Sequence, residues 1–209
     1  MTPAEVLNYI RVKFKLAYDF RGPIGLHASR HRELIELWRE LGYTVGAEIG
    51  TEGGKYAEEI CRGVPGVKLH CVDPYLAYSR YKDHVSQARL DGFYFAARER
   101  LSQFDAHFIR AASLDAVKQF APGSLDFVFI DGNHHFDYVV QDIIAWAPIV
   151  RAGGIVAGHD YKPEGSEQTP IPFGVIEAVN AYTAAHKISP WFVVKGDKCP
   201  SWFWVKADA

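Results

Sequence analysis

The feature that most constrains this chain is the alternation of short apolar runs with stretches of helical spacing. Apolar runs stand at 45–49, 67–72, 106–109, 125–130 and 154–157. Between them, residues 55–62 put Tyr56, Ala57, Ile60 and Cys61 on one helical face. Residues 136–147 do the same with Val139, Val140, Ile143, Ile144 and Ala147. Strands alternating with helices at this pitch predict βαβ units and a parallel sheet. The run LDFVFI at 125–130 is nearly continuous, as expected of a central strand covered on both faces. After a further helix around 172–186, runs at 191–195 and 201–205 flank Gly196, Asp197 and Lys198. That pattern predicts a β-hairpin, so the sheet should end with an antiparallel strand. The expected fold is α/β: a doubly wound, mostly parallel seven-stranded sheet with a C-terminal antiparallel hairpin and helices on both faces.

A chain of 209 residues, 48% hydrophobic, suits one domain over 1–209, and its 23% charged residues exclude global disorder. Two segments depart from the alternation: an N-terminal helical cap over 1–43, and a helical, aromatic-rich lid inserted at 74–104. A net charge of −2 gives no electrostatic case for a nucleic-acid partner. No apolar run is long enough to span a membrane, and the N-terminus reads as an amphipathic helix rather than a signal peptide. Cys61, Cys71 and Cys199 form no zinc spacing, and the first two read as reduced core thiols of a cytoplasmic protein.

The run at 45–49 opens into a glycine-rich loop, Gly50-Thr51-Glu52-Gly53-Gly54, before a helix. Such a loop lets a ligand approach the backbone and the helix N–H groups. Asp73 ends the second strand, about 25 positions beyond Glu48, where a carboxylate accepts hydrogen bonds from ribose hydroxyls. Glu48 and Glu52 bracket Gly50, and their charge disfavours a pyrophosphate there. A ligand carrying a sulfonium, an ammonium and a ribose suits the loop better. S-adenosylmethionine is therefore expected before NAD.

These residues resemble the class I S-adenosylmethionine-dependent methyltransferases, whose fold is Rossmann-like. The resemblance rests on VGAEIG at 45–50 with Gly54, on CVD at 71–73, on LDFVFID at 125–131, on RAGG at 151–154 and on the terminal hairpin. It covers most of the chain, from about Arg32 onward. IDGNH at 130–134, Asp142 and GHD at 158–160 are similar to the small bacterial branch that includes antibiotic-tailoring O-methyltransferases. The resemblance implies that Glu48, Gly50 and Gly54 line the methionine side, with Thr51 and Gly53 in the same loop. It implies that Asp73 binds the ribose and that Ser113 and Leu114 lie near the adenine. Asp131 is expected to contact the methionine portion or a metal.

Asp131 and the pair His159-Asp160 end adjacent strands, so Asp131, His159 and Asp160 form the expected metal set, with Mg²⁺ or Mn²⁺ as the ion. His159 stands where the metal-dependent relatives carry an acidic or amide ligand. His134 and His159 are the expected general bases, since imidazole is poised to take an acceptor proton. The lid interleaves Tyr75, Tyr78, Tyr81, Phe93, Tyr94 and Phe95 with Arg80, Lys82, Arg89 and Arg98, and is expected to cover a small-molecule acceptor. The N-terminal helix has two destinations, the same sheet edge or a second subunit in a homodimer. The expected activity is methyl transfer to an oxygen of a small molecule. The alternatives are a metal-independent enzyme acting on nitrogen or a larger acceptor, and a non-catalytic module that binds the nucleoside.

Overall fold

In the computed structural model, which describes residues 1–17, 21–77, 86–163 and 173–207, a single eight-stranded sheet runs through the molecule. Its strands are β1 (Ile24–Leu26), β2 (Val45–Ile49), β3 (Lys68–Val72), β4 (Ala106–Ile109), β5 (Leu125–Ile130), β6 (Val150–Gly158), β7 (Phe192–Val194) and β8 (Ser201–Val205). The spatial order is β1-β7-β8-β6-β5-β2-β3-β4. The helices are α1 (Pro3–Lys13), α2 (Ile35–Glu40), α3 (Lys55–Gly63), α4 (Gln87–Arg100), α5 (Ser113–Ala116), α6 (Phe136–Trp146) and α7 (Val175–Ala185).

The seven expected strands are present, and an eighth, β1, corrects the count. It lies within the segment expected to be a helical cap and pairs in parallel with β7, Ile24 opposite Phe192. Three residues carry too short a pattern to announce a strand. The hairpin also differs in place. Its β8 is the strand that runs against its neighbours, between β6 and β7, and the parallel β1 forms the edge.

Strand alternation divides the interior into two cores. Phe127 and Phe129 of β5 face the first, while Val128 and Ile130 face the second. In the first core the Trp38 ring stacks on Phe127 with centroids 4.2 Å apart. In the second, Trp202 and Trp204 stack at 5.2 Å beside Trp146. Each such ring withdrawn from water contributes roughly 1.5–3 kcal/mol. Helix α6 behaves as expected on its inner side, with Val139 and Ile143 buried, but Ile144 points outward.

Helix α1 begins with a capping box, Thr2 and Glu5 exchanging side chain and backbone hydrogen bonds, with Pro3 at its first turn. Its Val6 and Ile10 are fully buried in the first core. The Met1 carbonyl lies against Gly153, near the start of β6. Helix α1 therefore covers a face of its own sheet, at the end away from the strand termini that hold the ligand edge. That corrects the expectation that it caps that edge. Cys61 and Cys71 are buried free thiols, and Cys199 is half-buried and also free. Among the described residues, no helix is long and apolar enough to cross a membrane.

Candidate active site

The carboxyl ends of β2, β3, β5 and β6 open onto a cavity of about 770 Å³. Gly50 sits on its floor with φ of +92°, and a Cβ there would stand 2.1 Å from the Asp131 carbonyl oxygen. Only glycine allows the loop to lie this close to the end of β5. The loop is fastened by hydrogen bonds that Gly50 N–H donates to the Val72 carbonyl and Asp131 N–H donates to the Ile49 carbonyl.

Asp73 is held by its neighbours: the Glu52 and Tyr75 amides donate to its two carboxylate oxygens at 2.9 and 2.8 Å. It lines the cavity, as do Glu52, Ser113 and Leu114. Tyr75 lines the cavity and is also a strut: its buried hydroxyl donates to the Glu52 carbonyl at 2.8 Å. Glu48, Thr51, Gly53 and Gly54 are not among the lining residues. Glu48 is buried on the first-core side of β2, where desolvation and the nearby Asp131 charge push its carboxyl well above the usual range. Gly54, with φ of +71°, lets the start of α3 approach α4, since a Cβ would lie 3.1 Å from Ala97 Cβ.

At the other end, Asp131, His134, His159 and Asp160 meet. His134 Nε2 stands 2.9 Å from Asp160 Oδ2 and 3.9 Å from Asp131 Oδ1. His159 Nδ1 stands 3.4 Å from Asp131 Oδ1 and 3.3 Å from Asp160 Oδ2. Burial opposes charge on every member, yet the mutual pairing wins. The two imidazoles hold Asp131 down at about 2, and Asp160 is held well below the carboxylate range. The carboxylates hold His134 up at about 10 and His159 at about 9. Lys162 Nζ adds a contact of 3.2 Å to Asp160 Oδ1, and Phe173 stacks on His134 at 4.7 Å.

Asp131, His134 and Asp160 place ligand atoms close enough to hold one ion, and His159, Asp160 and Cys199 form a second such group. His134 thus replaces His159 beside the two carboxylates in the first group. Of the two histidines, His134 lines the cavity and His159 does not. A donor set of carboxylates and imidazole fits Mn²⁺, Fe²⁺ or Zn²⁺ better than Mg²⁺, which favours oxygen ligands.

Helix α6 adds lining groups to which the sequence assigned no role: Tyr138, Gln141 and Asp142. Burial pushes the Asp142 carboxyl up to about 6, against the stabilising hydrogen bond from Ser113. The spacing of Tyr138 and Asp142, one helical turn apart just after Asp131, was the available signal. The rims of the cavity come from Leu76, Leu90 and Phe93 of the lid. Tyr78, Arg80, Tyr81 and Lys82 lie outside the described residues.

Residues 47–161, over half of the chain, match the family described as the methyltransferase domain. No curated protein matches the sequence. Among solved structures, the fold is shared with an O-methyltransferase from Bacillus cereus in complex with SAH, at 17% identity and a TM-score of 0.62 over 97% of this chain and 90% of that one. A cofactor-bound protein from MTB is 17% identical with a TM-score of 0.59, over 98% of this chain and 89% of that one. A candidate caffeoyl-CoA O-methyltransferase from Staphylococcus aureus is 12% identical with a TM-score of 0.60, over 98% and 93%. The chain belongs to the methyltransferase-domain family and is an S-adenosylmethionine-dependent methyltransferase of the class I fold.

Proposed function

We propose that the chain transfers the methyl group of S-adenosylmethionine to an oxygen of a small-molecule acceptor. The observation that carries this reading is the cluster of two carboxylates and two imidazoles at one end of a cavity whose other end holds Asp73. A pure nucleoside binder needs no such group of titratable side chains beside its ligand. The O-methyltransferases that share the fold support the choice of oxygen over nitrogen.

The division of labour follows from position. Asp73 takes the ribose hydroxyls, Ser113 and Leu114 border the adenine, and Gly50 admits the sulfonium end. His134 and Asp160, 2.9 Å apart on the cavity wall, face the acceptor hydroxyl. The His134 imidazole, held up at about 10, is the cation near neutral pH rather than the expected base. It stabilises the acceptor oxygen, whose proton is released to solvent as the oxygen attacks the methyl carbon. His159, behind them, is a positioning residue. Asp131, His134 and Asp160 are the side chains that would hold a divalent ion, preferably Mn²⁺. Such an ion supplies Lewis acidity that stabilises the deprotonated acceptor oxygen. The remaining contribution is alignment of the two reactants with water excluded.

The test pairs adenosylhomocysteine calorimetry with methyl transfer to a panel of phenols and hydroxylated small molecules, with Mn²⁺ and with excess chelator. Asp160→Asn should lower turnover at least ~100-fold while leaving adenosylhomocysteine affinity nearly unchanged. Full turnover by that variant in chelator would overturn the role of the cluster.

A further inference from the structure

One basic side chain, next to the cavity residue Asp131 though not itself among the lining residues, has no part in the scheme above. Arg30 comes from the five-residue π-helix at Arg30–Leu34, far in sequence from every motif, and its Nη1 reaches to 3.5 Å from Asp131 Oδ2. That ion pair is too long to be a good hydrogen bond. Arg30 Nε and Nη1 are both buried without a hydrogen-bond partner, and Glu48 Oε2 is likewise buried and unpartnered. The guanidinium lies over the Tyr56 ring, 4.6 Å from its centroid, at the start of α3. Buried donors of a guanidinium are costly to leave unmade, so an arrangement that strands two of them points to a missing acceptor.

The backbone around Arg30 is fixed rather than loose. Ser29 Oγ donates to Asp197 Oδ1 at 2.6 Å and the Arg30 amide donates to Asp197 Oδ2 at 2.7 Å. Tyr56 hydroxyl donates to the Arg30 carbonyl at 3.3 Å. The β7–β8 connection therefore aims this side chain, and only 15% of it remains exposed.

The position selects the ligand. Asp131 separates two kinds of neighbour: its Oδ1 faces His134 and His159 on the acceptor side, and its Oδ2 faces Arg30 on the side of the glycine loop. The cofactor's amino-acid end carries an α-ammonium and an α-carboxylate. A carboxylate entering a cavity lined by Glu52, Asp73 and Asp131 is repelled unless a fixed cation meets it. Arg30 is that cation, with the planar fork that suits a carboxylate. We propose that Arg30 binds the α-carboxylate of the cofactor's methionine portion while Asp131 faces its α-ammonium. Arg30 is thereby the residue that distinguishes the full cofactor from nucleosides without an amino-acid tail. This inference rests on the methyltransferase reading and adds to it a residue that no motif contains.

The experiment compares two ligands that share the nucleoside and thioether: adenosylhomocysteine, and 5′-methylthioadenosine, which lacks the amino-acid end. Both are titrated calorimetrically into the wild-type protein, Arg30→Met and Arg30→Lys. Arg30→Met should weaken adenosylhomocysteine roughly 10- to 100-fold and change 5′-methylthioadenosine by less than about threefold. Arg30→Lys, which keeps charge but loses the fork, should fall between. Retained 5′-methylthioadenosine binding also shows that the variant is folded. Equal losses for both ligands would make Arg30 a structural residue and overturn the proposal, as would no loss for either. A wild-type protein that binds neither nucleoside would instead sink the methyltransferase reading, and the Arg30 assignment with it.

Discussion

Two regions of this molecule are rich in aromatic rings, and they use them in opposite ways. In the C-terminal hairpin, Phe192, Trp202, Phe203 and Trp204 are all essentially inaccessible, and they stack in pairs, Phe192 on Phe203 at 4.7 Å and Trp202 on Trp204 at 5.2 Å. In the lid helix α4, only Leu90 and Ala97 are buried, Phe93 borders the cavity, and Phe95 is 68% exposed. The cause is geometric. A strand inside a sheet covered on both faces buries successive residues alternately in two cores, so every ring of β8 finds an interior. A helix lying at a sheet edge has one inner stripe, and consecutive rings such as Phe93, Tyr94 and Phe95 must splay around it. The hairpin is frame; the lid is rim.

The largest effect should come from the frame. Phe203→Ala is expected to lower the unfolding free energy by about 3–5 kcal/mol, read from urea denaturation. A loss below about 1 kcal/mol would show that the hairpin rings contribute no more than surface groups. At the rim, Phe93→Ala should leave stability within about 1 kcal/mol of wild type. It should weaken adenosylhomocysteine or acceptor binding several-fold, in line with roughly 25 cal/mol for each Å² of apolar ligand surface that the ring would shield from water. If Phe93→Ala instead unfolds the protein as readily as Phe203→Ala, the distinction between the regions fails. The smallest effect is assigned to Phe95→Ser, within about 0.5 kcal/mol in stability. A marked change in acceptor turnover with that variant would mean that the acceptor, rather than solvent, covers the outer side of α4.

The same contrast explains what could be read from the residues alone. The parallel strands were legible because burial on both faces writes an unbroken apolar run, as at 125–130, and the glycine loop because Gly50 answers a backbone demand. Asp131, His134, His159 and Asp160 were legible because they directly follow such strands. The hairpin was also legible as a hairpin, but the burial of its rings was not, since composition does not distinguish a buried indole from an exposed one. Strand β1 escaped because three residues carry no period, and its pairing with β7 depends on residues about 170 positions away. Arg30 escaped for the same reason: nothing near it in sequence marks it, and Asp197 is what places it.

That pairing with Asp197 sets an order of assembly. Among the described residues, strand β1 pairs only with β7, and β7 joins the rest of the sheet only through β8. A nascent chain made from its N-terminus holds the Arg30 segment without a dock until residues 192–205 have emerged and β8 has slotted beside β6. The strands that carry Asp73, Asp131 and Asp160 are complete long before. The growing polypeptide thus gains its ribose and acceptor ends early and its grip on Asp131 from Arg30 last, when segments far apart in the sequence meet at one edge of the sheet.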